Sequence, residues 1–191
     1  MNDRDIIKGL IERDNEITKV FFYDKCRPLF CKIINFVFSY EVDYDEFVNE
    51  LYVYLMDNDA QKLRNFEYRS SVYMWLKILA IRYFIKKRGR MIDNNSQSPP
   101  YDEQELINDE ATEEVTKGDL ERLFKQMPTQ RYAYVIRMLL IEEIEPIKLA
   151  EEMGITIENL YNIKHRAMAQ LTRVALNDIK EYGKKTYNRW I

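Results

Sequence analysis

The sequence predicts an all-α protein built as two small helical domains joined by an acidic linker. Three observations predict it. Apolar residues recur three and four apart along most of the chain. Gly and Pro number only five each among 191 residues, too few for a turn-rich β fold. Acidic side chains are concentrated in one strip, residues 93–116, that holds no Lys or Arg.

The elements follow in order. Ile17, Val20 and Phe21 recur at helical spacing, as do Leu29, Phe30, Ile33, Ile34 and Val37, and Pro28 is expected to break the run between them. Phe47, Val48, Leu51 and Leu55 mark the next helix, with Asp45 and Glu46 favourably placed in its first turn. Val72, Trp75, Leu76, Leu79 and Tyr83 mark another, with Ser70 or Ser71 as its N-cap. The strip that comes next contains Ser96, Ser98, Pro99 and Pro100 and little apolar periodicity. It reads as a linker kept extended by self-repulsion, with room for a short helix near Gln104–Glu114. Beyond it, Asp119 is placed to cap a short helix through Leu123, Phe124 and Met127, which Pro128 ends. Thr129 is placed to cap a helix carrying Tyr132, Val135, Ile136, Leu139 and Leu140 on one stripe, and two more helices follow. The boundaries predicted are a domain over 1–92, the linker over 93–116 and a second domain over 117–191.

Charge is partitioned along the same lines. The chain is net −3 with a pI near 5.4. Residues 1–92 are net +2, the strip is net −8, and residues 117–191 are net +3. Within the first domain, residues 41–59 hold seven acids and no Lys or Arg, whereas residues 62–90 hold nine Lys or Arg against Glu67 alone. Such a dipolar domain can offer an acidic face to one partner and a basic face to another.

Several function classes are disfavoured. His165 is the only histidine, so neither a Ser-His-Asp apparatus nor a His-rich zinc site is expected, and no catalytic residue, metal or cofactor is assigned. A nuclease would need the acids of 41–59 to hold a divalent ion. Asp45, Glu46 and Glu50 instead fit a solvated helix face, and no second carboxylate cluster faces them. Residues 1–16 are charged throughout, and no window approaches the roughly 18 uncharged apolar residues of a membrane span. Cys26 and Cys31, five apart, fall on different helix faces. These features predict a reduced, cytoplasmic protein without membrane insertion.

The sharpest motif is Pro146–Ile163, PIKLAEEMGITIENLYNI. Pro146 suits the first turn of a helix. Ala150 lets two helices cross closely, and Gly154 supplies the left-handed residue that the turn of a helix-turn-helix needs. Leu149, Met153, Ile155, Leu160 and Ile163 are predicted to face inward, and Thr156 to cap a second helix running to about Leu171. The outward face then offers Glu158, Asn159, Tyr161, Asn162, His165 and Arg166. A helix of this kind enters the major groove by its N-terminal residues. Asn bonds an adenine edge at two points, and a good bidentate contact is worth about 1–3 kcal/mol of discrimination. Lys164 and Arg166 are placed for phosphates.

In the first domain, residues 64–90 read RNFEYRSSVYMWLKILAIRYFIKKRGR and interleave cations with rings. Charge for the backbone and ring faces for unstacked bases are what an opened strand requires. Trp75 and Tyr83 share a stripe with Leu76 and Leu79 and read as packing residues. Asn65, Tyr68, Arg69, Tyr73, Lys77, Arg82, Lys86, Lys87 and Arg88 are the contact candidates.

A duplex reader joined to an opened-strand reader resembles the bacterial sigma-70 family, specifically the small two-domain extracytoplasmic-function sigma factors. DYDEFVNELYVYL (Asp43–Leu55) looks like the family's core-polymerase-binding helix. SSVYMWLKILA looks like the start of its promoter-melting helix. The run from Lys125 to Leu171 looks like its fourth conserved region, a winged-helix-like helix-turn-helix. The resemblance implies docking on RNA polymerase through Asp45, Glu46, Asn49 and Glu50. It implies capture of the −10 element by the loop Asn65–Ser71 and the helix after it, and reading of the −35 element by Thr156, Glu158, Asn159, Tyr161, Asn162, His165 and Arg166. The partners implied are core polymerase, promoter DNA and, as an option, an anti-sigma protein. Family members commonly carry Asn at the position of Arg82 and Asp at that of Lys86, so this helix is the more basic one. The alternative is a helix-turn-helix regulator that binds duplex DNA without polymerase. The tail Asn177–Ile191 has no assigned role.

Overall fold

Short polar side chains set the helix starts. Asn2 accepts from Asp5 N at 2.9 Å and opens α1, Asp3–Ile11. Asp14 accepts from Ile17 N at 2.8 Å and opens α2, Asn15–Ile17, which widens into a π-helical stretch over Thr18–Lys25. Pro28 sits in the first turn of α3, Arg27–Val37, where its missing N–H costs nothing. Asp43 accepts from Asp45 N and Glu46 N at the start of α4, Tyr44–Arg64. Of the two serines expected to cap α5, Val72–Asn94, it is Ser71 that accepts from Met74 N, at 3.2 Å. The computed structural model describes residues 2–94 and 117–187, with side chains over 2–92 and 120–178.

The second half begins with α6, Lys117–Gln126, so Asp119 is its third residue. Next comes α7, Gln130–Ile136, continued by a π-helical stretch over Arg137–Ile141. Thr129 holds the cap position, but its hydroxyl accepts from Gln170 Nε2 at 3.2 Å and does not bond the helix. Then follow α8, Pro146–Glu152, and α9, Ile157–Tyr187, which runs well past Leu171. Every element among the described residues is helical, as the sequence predicts. No described helix is long and apolar enough to cross a membrane. Both cysteines are free thiols. The predicted linker, including Gln104–Glu114, lies outside the described residues except for positions 93 and 94, which complete α5.

One feature of α4 was absent from the sequence reading. Asn58, Asp59 and Ala60 take φ of 50°, 54° and 57°, a left-handed turn that divides the helix. For L-residues this conformation costs roughly 1–2 kcal/mol each. Arg64 holds the turn from behind, donating to Asp59 O at 2.8 Å and pairing with the Asp59 carboxylate at 2.9 Å.

The two halves pack against each other. The apolar core of the first half, centred on Phe22, Phe30, Leu51, Leu76 and Phe84, continues into Leu120, Phe124, Ile136, Met168 and Leu171 of the second. The long helices α5 and α9 meet closely at Gly89, where an added Cβ would stand 2.7 Å from Leu176 Cγ. A smaller core of Val135, Leu139, Leu149, Ala150, Leu160 and Ile163 ties α7, α8 and α9 together.

Candidate nucleic-acid interface

The α8–α9 corner is built by local rules. The carbonyls at the end of α8 need partners. Gly154 N donates to Glu151 O and Ile155 N to Ala150 O, both at 3.0 Å, a pair of bonds that requires a left-handed residue between them. Gly154 supplies it with φ of 63°. Thr156 Oγ1 then accepts from Asn159 N at 3.2 Å and starts α9. Leu149 and Leu160 are fully buried beneath the corner, with Ala150 and Ile163 beside them, while Met153 and Ile155 are half-buried.

The opposite side of α9 faces solvent. Thr156, Glu158, Asn159, Tyr161, Asn162, His165 and Arg166 are all exposed. They occupy the first three turns of the helix, the part nearest the Gly154 corner. The face carries donors, acceptors, two rings and one guanidinium, the mixture that base edges and phosphates call for. Lys164 does not join it. Its ammonium lies 4.1 Å from the Phe36 ring centroid, and burial pushes its pKa down. That contact to α3 removes Lys164 from the phosphate-binding role expected of it.

The candidates in the first half divide into two groups. Asn65, Tyr68 and Arg69 are exposed on the loop between α4 and α5. Tyr68 takes a left-handed φ of 57° and lies 4.8 Å from buried Phe66, which in turn lies 5.2 Å from Trp75. Three rings thus lead from the core to solvent and hold Tyr68 as an exposed platform. Arg69 pairs with Glu67 at 2.5 Å. Tyr73 is half-buried, and its hydroxyl pKa is raised, chiefly by burial.

The α5 cations behave differently, and here the expectation needs correction. Lys77, Arg82 and Arg88 are buried. Lys77 Nζ donates to Ile141 O at 3.0 Å and to Glu143 Oε1 at 2.5 Å. Arg88 donates to Val37 O at 2.8 Å, and burial lowers its pKa. Lys86 and Lys87 are half-buried, with Lys87 2.5 Å from Glu50 and 4.5 Å from the Phe47 ring. The reason is the composition of α5: from Trp75 to Ile85 every residue is buried, so the helix has no wide polar face to present.

The acidic set lies on α4. Asp45, Glu46 and Asn49 are exposed and Glu50 is half-buried, above a buried stripe of Phe47, Leu51 and Leu55. Arg27 bonds Asp45, and Tyr23 Oη donates to Asn49 at 3.0 Å. Exposed Val53 extends the same surface. Among the described residues, no group of three His, Cys, Asp or Glu side chains is arranged to hold a metal ion.

Two residues matter that the sequence did not single out. Glu143, at φ of 55° just after the π-helical stretch, bridges Lys77 and Lys32. Lys32 lies on α3, 2.7 Å from Glu143 Oε2. Their separation of 111 positions leaves no local pattern to find. No family model matches the chain, and no curated protein or solved structure matches it.

Proposed function

We propose that this chain is an RNA polymerase sigma factor of the extracytoplasmic-function type, made of two helical domains that share the work of promoter recognition. The second half acts as a helix-turn-helix of the region 4 type and reads the −35 element with α9. The first half docks on core polymerase through Asp45, Glu46, Asn49 and Glu50. It receives the opened −10 strand on the loop from Asn65 to Ser71, with Tyr68 as the stacking platform. The observation that carries this reading is the solvent-facing set from Thr156 to Arg166, placed directly after the Gly154 turn between α8 and α9. The exposed, ring-backed Tyr68 supports the strand-binding half of it. No cofactor is required.

One observation favours a second reading, a stand-alone helix-turn-helix regulator of duplex DNA. The burial of Lys77, Arg82 and Arg88 leaves the first half fewer cations for an opened strand. The two readings separate on one column. A sigma factor co-elutes with core polymerase and binds duplex promoter DNA weakly alone, whereas a stand-alone regulator elutes apart from polymerase and binds the duplex tightly.

A further inference from the structure

Glu143 sits between two lysines of the first half. Two ammonium groups from different helices of the first half, Lys32 on α3 and Lys77 on α5, converge on its carboxylate at 2.7 and 2.5 Å. The Lys77 side chain is only 5% exposed, and its remaining polar contact is the Ile141 carbonyl at 3.0 Å. That carbonyl is one of the orphan acceptors at the end of a helix, which a cation can cap. Both contacts that compensate the buried Lys77 charge therefore come from the second half. Glu143 reaches them from a left-handed backbone that a glutamate adopts at a cost. The two lysines belong to one half, and the anion that fills them belongs to the other.

We infer that Lys32 and Lys77 form a phosphate site for the nucleic-acid backbone, occupied in this closed arrangement by Glu143 as an internal substitute. The inference rests on the reading of the first half as the part that receives the opened strand. A converging pair of ammonium groups suits a phosphodiester oxygen as well as a carboxylate, since both are anionic acceptors. Displacing the Ile141–Ile144 turn frees both ammonium groups together. The cover that Ile141 and Glu143 give the Lys77 ammonium is then a property of the closed form. Strand binding competes directly with docking of the second half, at the shared lysines.

The test uses the full chain and a fluorescein-labelled oligo(dT), which offers phosphates without a promoter sequence. Glu143→Gln removes the internal anion. If the closed form holds about nine-tenths of the molecules, the variant binds oligo(dT) about tenfold more tightly than the natural chain. The slope of log K against log salt also steepens, by roughly 0.7 for each lysine released. Adding Lys32→Gln to Glu143→Gln removes about one such increment and part of the affinity gain. Should Glu143→Gln lose its helical circular dichroism, Glu143→Asn carries the same test, because Asn tolerates the left-handed backbone better. Unchanged affinity and slope in the neutral variant overturn the inference, as does a gain that survives Lys32→Gln in full. A flat result removes the phosphate site alone; the sigma-factor reading is decided separately, by transcription with core polymerase.

Discussion

The first turns of α9 and the middle of α5 both carry polar residues that the sequence marks for nucleic acid, yet those residues end in opposite environments. On α9, polar residues fill one side and Leu160, Ile163, Ala167 and Leu171 fill the other, so burial of the apolar side leaves the polar side in water. On α5, Lys77 and Arg82 are single cations inside the run WLKILAIRYFI, and apolar residues surround them at every angle. A helix apolar on nearly all sides is buried whole, and its cations go inside with it. There they need anions or carbonyls, and for Lys77 the second half supplies both, at Glu143 and Ile141. A cation count along a helix is therefore a poor guide to a binding surface unless the apolar stripe leaves a side open.

That contrast can be broken at several points. The largest expected effect lies in the core beneath α5: Phe84→Ala should lower stability by about 3–5 kcal/mol, read as a drop in denaturant midpoint. Wedging the halves apart comes next. Gly89→Val places a side chain against Leu176 and should cost about 1–3 kcal/mol, and Lys77 should then gain reactivity toward amine-modifying reagents. Unchanged Lys77 reactivity would show that the halves tolerate the wedge without parting.

On the α9 side the expected signature is loss of discrimination with stability untouched. Asn159→Ala and Asn162→Ala should each reduce selectivity at particular −35 base pairs by about 1–3 kcal/mol, with an unaltered melting curve. Equal weakening on every sequence would instead make them backbone contacts. Gly154→Ala tests the corner itself. Nothing lies within 4 Å of an added Cβ, so the cost is purely conformational, about 1–2 kcal/mol.

The smallest effect is in pH. Hydrogen bonds from Lys32 and then Lys77 hold the Glu143 carboxyl below the usual glutamate range. A depressed carboxyl stabilises the docked form fully above the ordinary value of about 4.3, and loses that contribution as pH falls through the lower docked value. Acid should therefore loosen the docking. The groups facing Glu143 are Lys32 and Lys77, with the Tyr73 hydroxyl close enough to feel its charge. Glu143→Gln should flatten the response, measured as the denaturant midpoint of the full chain against pH.

Much of the fold was legible in local pattern. The stripes of α3, α5 and α9, the Ser71 and Thr156 caps and the Gly154 corner all follow from residues within one or two turns of each other. The exposed set on α9 was legible for the same reason. The left-handed turn at Asn58–Ala60 was not, because it lies among helix-compatible residues with no Gly or Pro to mark it. Thr129 holds its N-cap position without a cap bond because Gln170 takes its hydroxyl, and Asp119 falls two residues inside its helix: capping depends on where a helix begins and on competing partners. The bridge from Lys32 through Glu143 to Lys77 joins residues brought together only by tertiary packing. The buried run around Lys77 was nevertheless visible in the sequence, and weighing it against the cation count would have placed that lysine inside.

The most direct measurement is a run-off transcription assay with purified core polymerase over a library of genomic promoters. Full-length transcripts from a discrete subset of promoters, abolished when Asn159 and Asn162 are both replaced by Ala, are the result expected of a sigma factor. No transcript above core polymerase alone across the whole library would contradict it.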